Sequence, residues 1–156
     1  MSDQTNTAPG SLIGVGVGPG DPELLTLRAV RVIRDADRVL APSSAIDAVG
    51  RAESIVRQAC PGLAIERLVF AMGGAGPSID AAAEVVAAGL DAGHHLAFVT
   101  LGDPNVYSTF SSLAEEVRDR RPAVPIETVP GIMAFQDLAA RAGTVLVDGE
   151  DRKSVV

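Results

Sequence analysis

The run His95–Leu101 is apolar on both faces of an extended chain, which constrains the fold more than any other stretch. A strand of this kind has to be covered on both sides, as central strands of parallel sheets are. Short β-branched runs and helical patterns alternate along the rest of the chain, which indicates βαβ crossovers. The sequence therefore predicts an α/β fold, with a five-stranded, mostly parallel sheet and helices on both faces.

Strands and helices follow from the period of the apolar residues and from the turn residues that bound each run. In the first helix, Asp21 is a suitable N-cap and Pro22 fits the first helical position. The predicted strands are Ser11–Val17, Arg38–Ala41 (closed by Pro42), Ile65–Phe70, His95–Leu101 and Pro125–Val129, with a further strand at Thr144–Val147. The predicted helices are Pro22–Ala36, Gly50–Ala59, Ile79–Leu90, Ser108–Arg120 and Ile132–Ala142, and Met72–Pro77 is a glycine-rich loop.

The domain organisation follows from length and from the two ends of the chain. The 156 residues suit one domain, or one domain and the start of another. Residues 1–10 are polar and read as a disordered leader, and residues 11–143 hold the α/β domain. We expect residues 144–156 to be a linker and the beginning of a missing C-terminal domain, because the chain stops as it enters another strand.

Composition excludes several classes of function. The net charge of −7 disfavours a nucleic-acid or anionic-membrane surface, which needs clustered Lys and Arg. The single Cys60 excludes an internal disulfide, and one Cys with the two adjacent residues His94 and His95 assembles no metal site from the usual ligands. No apolar run approaches the ~20 residues that span a membrane, so we expect a cytoplasmic protein.

A glycine-rich segment, Gly14–Pro22, follows the start of the first strand. Such a segment lets a ligand approach the backbone, and the next helix offers free amides. The spacing departs from the dinucleotide-binding pattern, because Pro19 or Asp21 stands where the third glycine would be. From spacing alone, a ligand-binding loop and a tight strand-to-helix turn both remain open.

Two more segments follow strands, Leu101–Thr109 and Val129–Phe135. The first packs an acid, an amide and a phenol (Asp103, Asn105 and Tyr107) into five residues, which a turn and a helix cap do not explain. Carboxyl ends of parallel strands share one edge of the sheet, where ligands bind. We therefore expect all three segments to converge there.

In their order and spacing, these segments resemble the tetrapyrrole (corrin and porphyrin) methylase family, from Ser11 to Asp148. Gly14–Pro22 with Leu24–Ala29 is similar to the family's opening signature, and Gly102-Asp103-Pro104 and Val129–Ile132 to its two later ones. Within the family, Gly102–Thr109 is most similar to precorrin-2 C(20)-methyltransferases. Supporting similarities to that group lie in Gly50–Arg57 and Arg67–Met72.

The resemblance implies a two-domain enzyme with S-adenosyl-L-methionine in the cleft between the domains and a tetrapyrrole as substrate. Family members usually have small residues at the positions of Met133 and Ala134, and Met133 is bulkier. Tyr107 is the candidate substrate contact, and we name no general base. The implied cofactor-binding residues are Pro19, Leu101, Gly102, Asp103, Val106, Met133 and Ala134.

The implied activity is S-adenosylmethionine-dependent C-methylation of a precorrin in cobalamin biosynthesis, at C(20) of precorrin-2, by a homodimer. Arg28 and Arg31 could supply positive charge for a polycarboxylate substrate, or could equally be surface residues. The alternatives are another activity of the family, on uroporphyrinogen or a later precorrin, and a non-catalytic fragment. We expect the truncated chain alone to be inactive.

Overall fold

A computed structural model describes residues 10–70 and 79–148 of the chain. Strands and helices alternate as predicted, with bounds that differ by a few residues. The strands are β1 (Ser11–Gly16), β2 (Arg38–Ser43), β3 (Ile65–Val69), β4 (His95–Thr100) and β5 (Ile126–Val129). The helices are α1 (Leu27–Asp35), α2 (Arg51–Ala59), α3 (Ile79–Asp91), α4 (Thr109–Arg120) and α5 (Ala134–Ala142).

The five strands form one sheet in the order β3-β2-β4-β1-β5. Every strand pair is parallel; for example, Val15 of β1 lies opposite Val99 of β4 and Val129 of β5. The predicted parallel architecture and the central position of the His95–Leu101 run are confirmed. The chain runs from β1 to β2 on one side of the sheet and from β4 to β5 on the other. The carboxyl ends of β1 and β4 therefore form a topological switch point, where α/β sheets bind ligands.

Alternate residues of the strands bury against helices on opposite faces of the sheet. Leu96 and Phe98 of β4 pack with α3 and α4 on one face, and Ala97 and Val99 pack with α1 and α2 on the other. Side chains of successive strand residues point to opposite faces, so the doubly apolar β4 supplies both cores. The prediction of helices on both faces is confirmed.

The first predicted helix, Pro22–Ala36, is divided in two. Pro22–Leu24 forms a short 3₁₀ turn, and its predicted N-cap Asp21 accepts a hydrogen bond from the Glu23 amide at 2.9 Å. α1 then begins at Leu27, because Thr26 Oγ1 accepts a hydrogen bond from the Ala29 amide at 3.1 Å. The threonine acts as a second N-cap and sets the direction of α1 independently of the 3₁₀ turn.

Two other predictions are corrected. Pro42 does not close β2 but lies within it, opposite Leu68 of β3 and beyond Leu40, the last residue of β2 that pairs with β4. A proline is compatible with this position because its missing amide is not needed there. Residues 144–148 form no strand, and Val145, Leu146 and Val147 are exposed.

Some predictions fall outside the described residues: most of the leader (1–9), the glycine-rich loop Met72–Pro77, and residues 149–156. Within the described ranges, no helix is long and apolar enough to cross a membrane.

Candidate functional site

The three glycine-containing segments meet at the carboxyl edge of the sheet. Gly18 and Gly102 pair as an antiparallel bridge, with the Gly102 amide donating to the Gly18 carbonyl at 2.8 Å. The Gly131 amide donates to Asp103 Oδ2 at 3.0 Å. The predicted convergence of Gly18, Asp103 and Gly131 is confirmed.

The glycines of the first segment serve contacts between loops. A Cβ on Gly16 would lie 2.5 Å from the Gly102 carbonyl oxygen and 2.6 Å from the Gly131 nitrogen. Gly18 and Gly102 have φ of 77° and 67°, a region that glycine adopts without strain. The segment thus includes a tight strand-to-helix turn, and its glycines leave room for the other two loops.

Asp103 ties two of these loops together. Its Oδ1 accepts a hydrogen bond from the Asn105 amide at 2.8 Å, while Oδ2 accepts the one from Gly131. The residue is buried, and both carboxylate oxygens are engaged by backbone donors. Charge-assisted hydrogen bonds of this kind are stronger than neutral ones. The Asp103 side chain therefore positions the loops.

A cavity of about 460 Å³ opens beside the loops. Its size lies within the range of small-molecule sites. Residues predicted from the sequence to contact cofactor or substrate supply much of the lining: Pro19, Leu101, Gly102, Val106, Tyr107, Met133 and Ala134. The lining also includes residues without a predicted site role: Pro42, Arg51, Ala52, Thr100, Ser108 and Thr109. Asp103 is the predicted contact that does not line the cavity.

Tyr107 projects from a strained backbone position. Its φ is 46°, in the left-handed region, and its side chain is fully exposed at the cavity. A left-handed non-glycine residue costs about 1–2 kcal/mol. The loop therefore holds the phenol toward the open side of the cavity, where an incoming molecule can reach it.

Hydroxyl groups lie where β4 passes into α4. Thr100 Oγ1 and Ser108 Oγ are 3.0 Å apart, and Ser108 Oγ accepts a hydrogen bond from the Phe110 amide at 3.1 Å. Ser108 is thus the N-cap of α4. The pair fixes the direction of α4 as it leaves the cavity.

The wall near β2 is anchored by a buried carboxylate. Glu53 of α2 is fully buried and accepts hydrogen bonds from Arg67 Nε at 2.6 Å and Arg57 Nε at 2.8 Å. Arg67 Nη1 also donates to the Ile46 carbonyl at 2.7 Å, which ties β3 to the loop before α2. The hydrogen bond from Arg67 is the main cause that lowers the pKa of Glu53, against the opposing effect of burial.

Charge in the cavity lining comes from one side chain, Arg51, among the described residues that form it. Arg28 and Arg31 do not line the cavity, and Arg28 lies 3.8 Å from Glu127. The described part of the lining contains no carboxylate and no imidazole. The charged side chain of the described lining is therefore a cation, in a chain of net charge −7.

The adjacent histidines lie away from this site. Ser11 Oγ lies 2.8 Å from His95 Nδ1, at the amino end of the sheet. In the described ranges no group of three or more His, Cys, Asp or Glu side chains is arranged to hold a metal ion. Cys60 is buried.

The arrangement suits a ligand that combines apolar and polar parts. Leu101, Val106 and Met133 offer apolar surface, and the backbone of Gly102 carries no Cβ on the side where Met133 Sδ would lie 3.2 Å from it. The volume of the cavity lies in the range of cavities that bind small molecules. The bulk of Met133 narrows it beside Gly102.

The family model for tetrapyrrole (corrin/porphyrin) methylases matches residues 11–156. A cobalamin biosynthesis protein, CobIJ, from Mycobacterium tuberculosis is 39% identical over 96% of this chain and 31% of its own length. A precorrin-2 C(20)-methyltransferase from a Sinorhizobium species is 37% identical over 94% of this chain and 64% of its own.

Two solved structures are similar to this chain. A cobalamin-synthesis-related protein (CobF) from Corynebacterium diphtheriae superposes with a TM-score of 0.74 and 25% identity, over 91% of this chain and 61% of that one. The cobalt precorrin-4 methyltransferase CbiF gives 0.68 and 25%, over 90% and 53%. The chain thus spans between about a third and two thirds of the length of these relatives. From its sequence signatures, its sheet and these matches, the chain belongs to the tetrapyrrole methylase family.

Proposed function

We propose that this chain forms the α/β wall of an S-adenosylmethionine-dependent C-methyltransferase that acts on precorrin-2 at C(20) in cobalamin biosynthesis. The cavity at the carboxyl edge of the sheet carries the proposal. Six of the seven residues that the family resemblance assigns to the cofactor line it: Pro19, Leu101, Gly102, Val106, Met133 and Ala134. The seventh, Asp103, holds the loops that present them.

Methyl transfer requires this wall mainly to position the reactants. S-adenosylmethionine supplies, when bound, a methyl group that its sulfonium already activates toward an electron-rich carbon. The described lining has no carboxylate or imidazole to take up a proton. Its residues would therefore orient the two reactants and exclude water, which is where proximity is most effective. Tyr107 is the candidate contact to the macrocycle.

The C(20) assignment is supported by the relatives. Besides the Sinorhizobium enzyme, a probable cobalt-precorrin-2 C(20)-methyltransferase from Methanocaldococcus jannaschii is 33% identical over 92% of this chain and 62% of its own length. A second candidate is methylation of uroporphyrinogen or a later precorrin. It is favoured by the uroporphyrin-III C-methyltransferase of Thermus thermophilus, whose structure superposes with a TM-score of 0.67 and 27% identity over 89% of this chain and 55% of that one. A homodimer in the cytoplasm is part of the first proposal.

The test compares the chain alone with a chimera. In the chimera, the chain continues into the part of the Sinorhizobium relative that lies beyond the match. Both are supplied with S-adenosylmethionine and precorrin-2, and the product is identified by mass spectrometry and by NMR of the new methyl group. We expect one methyl group at C(20) from the chimera and little turnover from the chain alone. Methylation of uroporphyrinogen in preference to precorrin-2 would favour the second candidate, and a folded chimera without any transfer would reject both.

A further inference from the structure

We propose that Arg51 binds a carboxylate of the tetrapyrrole substrate and so fixes the macrocycle at the β2 end of the cavity. The inference rests on the proposed function, because it takes the ligand of this cavity to be a polycarboxylate. It adds a substrate-recognition residue to a wall whose other lining residues are neutral.

Arg51 is available for a ligand. Its side chain is exposed, and within the described residues it has no ion pair and no side-chain hydrogen bond. The neighbouring arginines differ, since Arg57 and Arg67 are both held by Glu53. A guanidinium can donate two parallel hydrogen bonds to one carboxylate, which gives both affinity and orientation.

The position of Arg51 is set by packing on both sides. Gly50 precedes it, and a Cβ there would lie 2.6 Å from the Pro42 carbonyl oxygen, so only glycine lets α2 start this close to β2. Two residues later, Glu53 anchors the first turn of α2 to Arg67 of β3. The backbone that carries Arg51 is therefore fixed at the cavity before any ligand arrives, which lowers the entropic cost of binding.

Strand order places Arg51 at one end of the row of loops that carry the candidate cofactor residues. These residues follow β4, β1 and β5, whereas Arg51 follows β2, on the side of β4 away from β1 and β5. Neighbouring strands are about 4.8 Å apart, so β2 and β5 are separated by about 14 Å. A macrocycle with carboxylates around its rim extends far enough to reach Arg51 from beside the cofactor.

Binding of uroporphyrin III, a stable porphyrin polycarboxylate, by the 156-residue chain is the direct test. Its absorption and fluorescence report the dissociation constant at low and at moderate salt. The variants are Arg51→Gln, Arg51→Lys and the matched control Arg118→Gln. Arg118 is exposed, lacks an ion pair in the described part of the chain, and lies about 13 Å along α4 from the cavity residue Thr109.

We expect Arg51→Gln to weaken porphyrin binding by about tenfold or more, the effect of one charge-assisted hydrogen bond. Arg51→Lys should recover part of the loss, and Arg118→Gln should stay within about twofold of the parent chain. All three should unfold at the temperature of the parent, because these arginines are exposed.

Equal losses for Arg51→Gln and Arg118→Gln would overturn the inference, as would a parent chain that does not bind the porphyrin. The carboxylate that Arg51 binds could belong to precorrin-2 or to S-adenosylmethionine, and kinetics of the chimera with Arg51→Gln distinguish the two. A raised KM for precorrin-2 with an unchanged KM for S-adenosylmethionine supports the inference, and the reverse pattern overturns it. Absence of methyl transfer in the chimera counts against the proposed function, while the porphyrin titration still decides the role of Arg51.

Discussion

Asp103 shows how one side chain can join two sequence signatures that lie far apart along the chain. We expect Asp103→Asn to destabilise the fold by about 1–3 kcal/mol. Asparagine has one acceptor oxygen where aspartate has two, so the hydrogen bond from either the Asn105 amide or the Gly131 amide is lost. Urea unfolding followed by circular dichroism measures the change. The control Asp119→Asn removes an exposed carboxylate of α4 and should change stability by less than about 0.5 kcal/mol. Equal effects would mean that Asp103 does not hold the loops.

Glu53 gives a prediction with a pH dependence. Its folded-state pKa is lowered by Arg67 and Arg57, so its contribution is complete above the unfolded-state pKa and is lost as pH falls through the lower folded-state pKa. We expect Glu53→Gln to cost about 2–4 kcal/mol at neutral pH and less below about pH 4. Urea unfolding at both pH values, with exposed Glu115→Gln as control, checks this; a loss that stays the same in acid would contradict the ionic origin.

Residue chemistry explains which site residues were predictable from the sequence. Gly102, Asp103 and Tyr107 lie in a short segment whose spacing is informative by itself. Arg51 lies in an ordinary helical pattern, and its place at the cavity depends on how α2 packs beside β2. Pro42 could have directed attention there, since it lies near the carboxyl end of a parallel strand, but it was interpreted only as the residue that ends the strand.

At the scale of elements, Gly14 controls how α4 packs on the sheet. The Phe110 ring fills the space where a Gly14 side chain would lie, and it packs at a tilt against Phe98 with a centroid distance of 5.8 Å. Because Gly14 is opposite Phe98 in the register of β1 and β4, the glycine makes room for an aromatic pair in the core. The sequence segment that resembled a ligand loop is partly a packing device.

We expect Gly14→Ala to destabilise the chain by about 1–3 kcal/mol, since an extra methyl group must displace the Phe110 ring. Thermal and urea unfolding measure this for Gly14→Ala, for Phe110→Leu and for the double variant. The smaller leucine should relieve the overlap, so the double variant should be less destabilised than the sum of the two single variants. Simple additivity would show that the glycine and the ring do not compete for space.

Element order could be predicted because period and breakers are local properties of the sequence. The break before α1 could not, because Leu24–Ala29 continues a good helical pattern and only the Thr26 hydroxyl decides in favour of a cap. The predicted strand at Thr144–Val147 failed for a different reason. A β-branched run forms a strand only when a neighbouring strand pairs with it, and in the described residues none does.

At the scale of the whole molecule, apolar side chains remain exposed along α5 and beyond it. Phe135 and Leu138 are 55% and 67% exposed, and Val145 and Val147 are about three quarters exposed. Patches of this kind promote association. We expect the chain to self-associate with increasing concentration in sedimentation velocity, and Leu138→Glu to reduce this. Glu115→Gln, on α4, serves as the unaffected control, and a monomer at all concentrations would contradict the prediction.

The openness of the cavity leads to a prediction about the cofactor. Leu101 and Val106 are each more than a third exposed and Tyr107 is fully exposed, so in this chain a bound ligand would stay in contact with water. Polar contacts then compete with solvent, and the alignment that accelerates methyl transfer is weak. We expect titration calorimetry to give millimolar affinity for S-adenosylmethionine, or none, with the chain alone, and much tighter binding with the chimera. If the chain alone binds at micromolar concentration, or methylates precorrin-2, then the wall described here is sufficient and the part of the relatives beyond the match is dispensable.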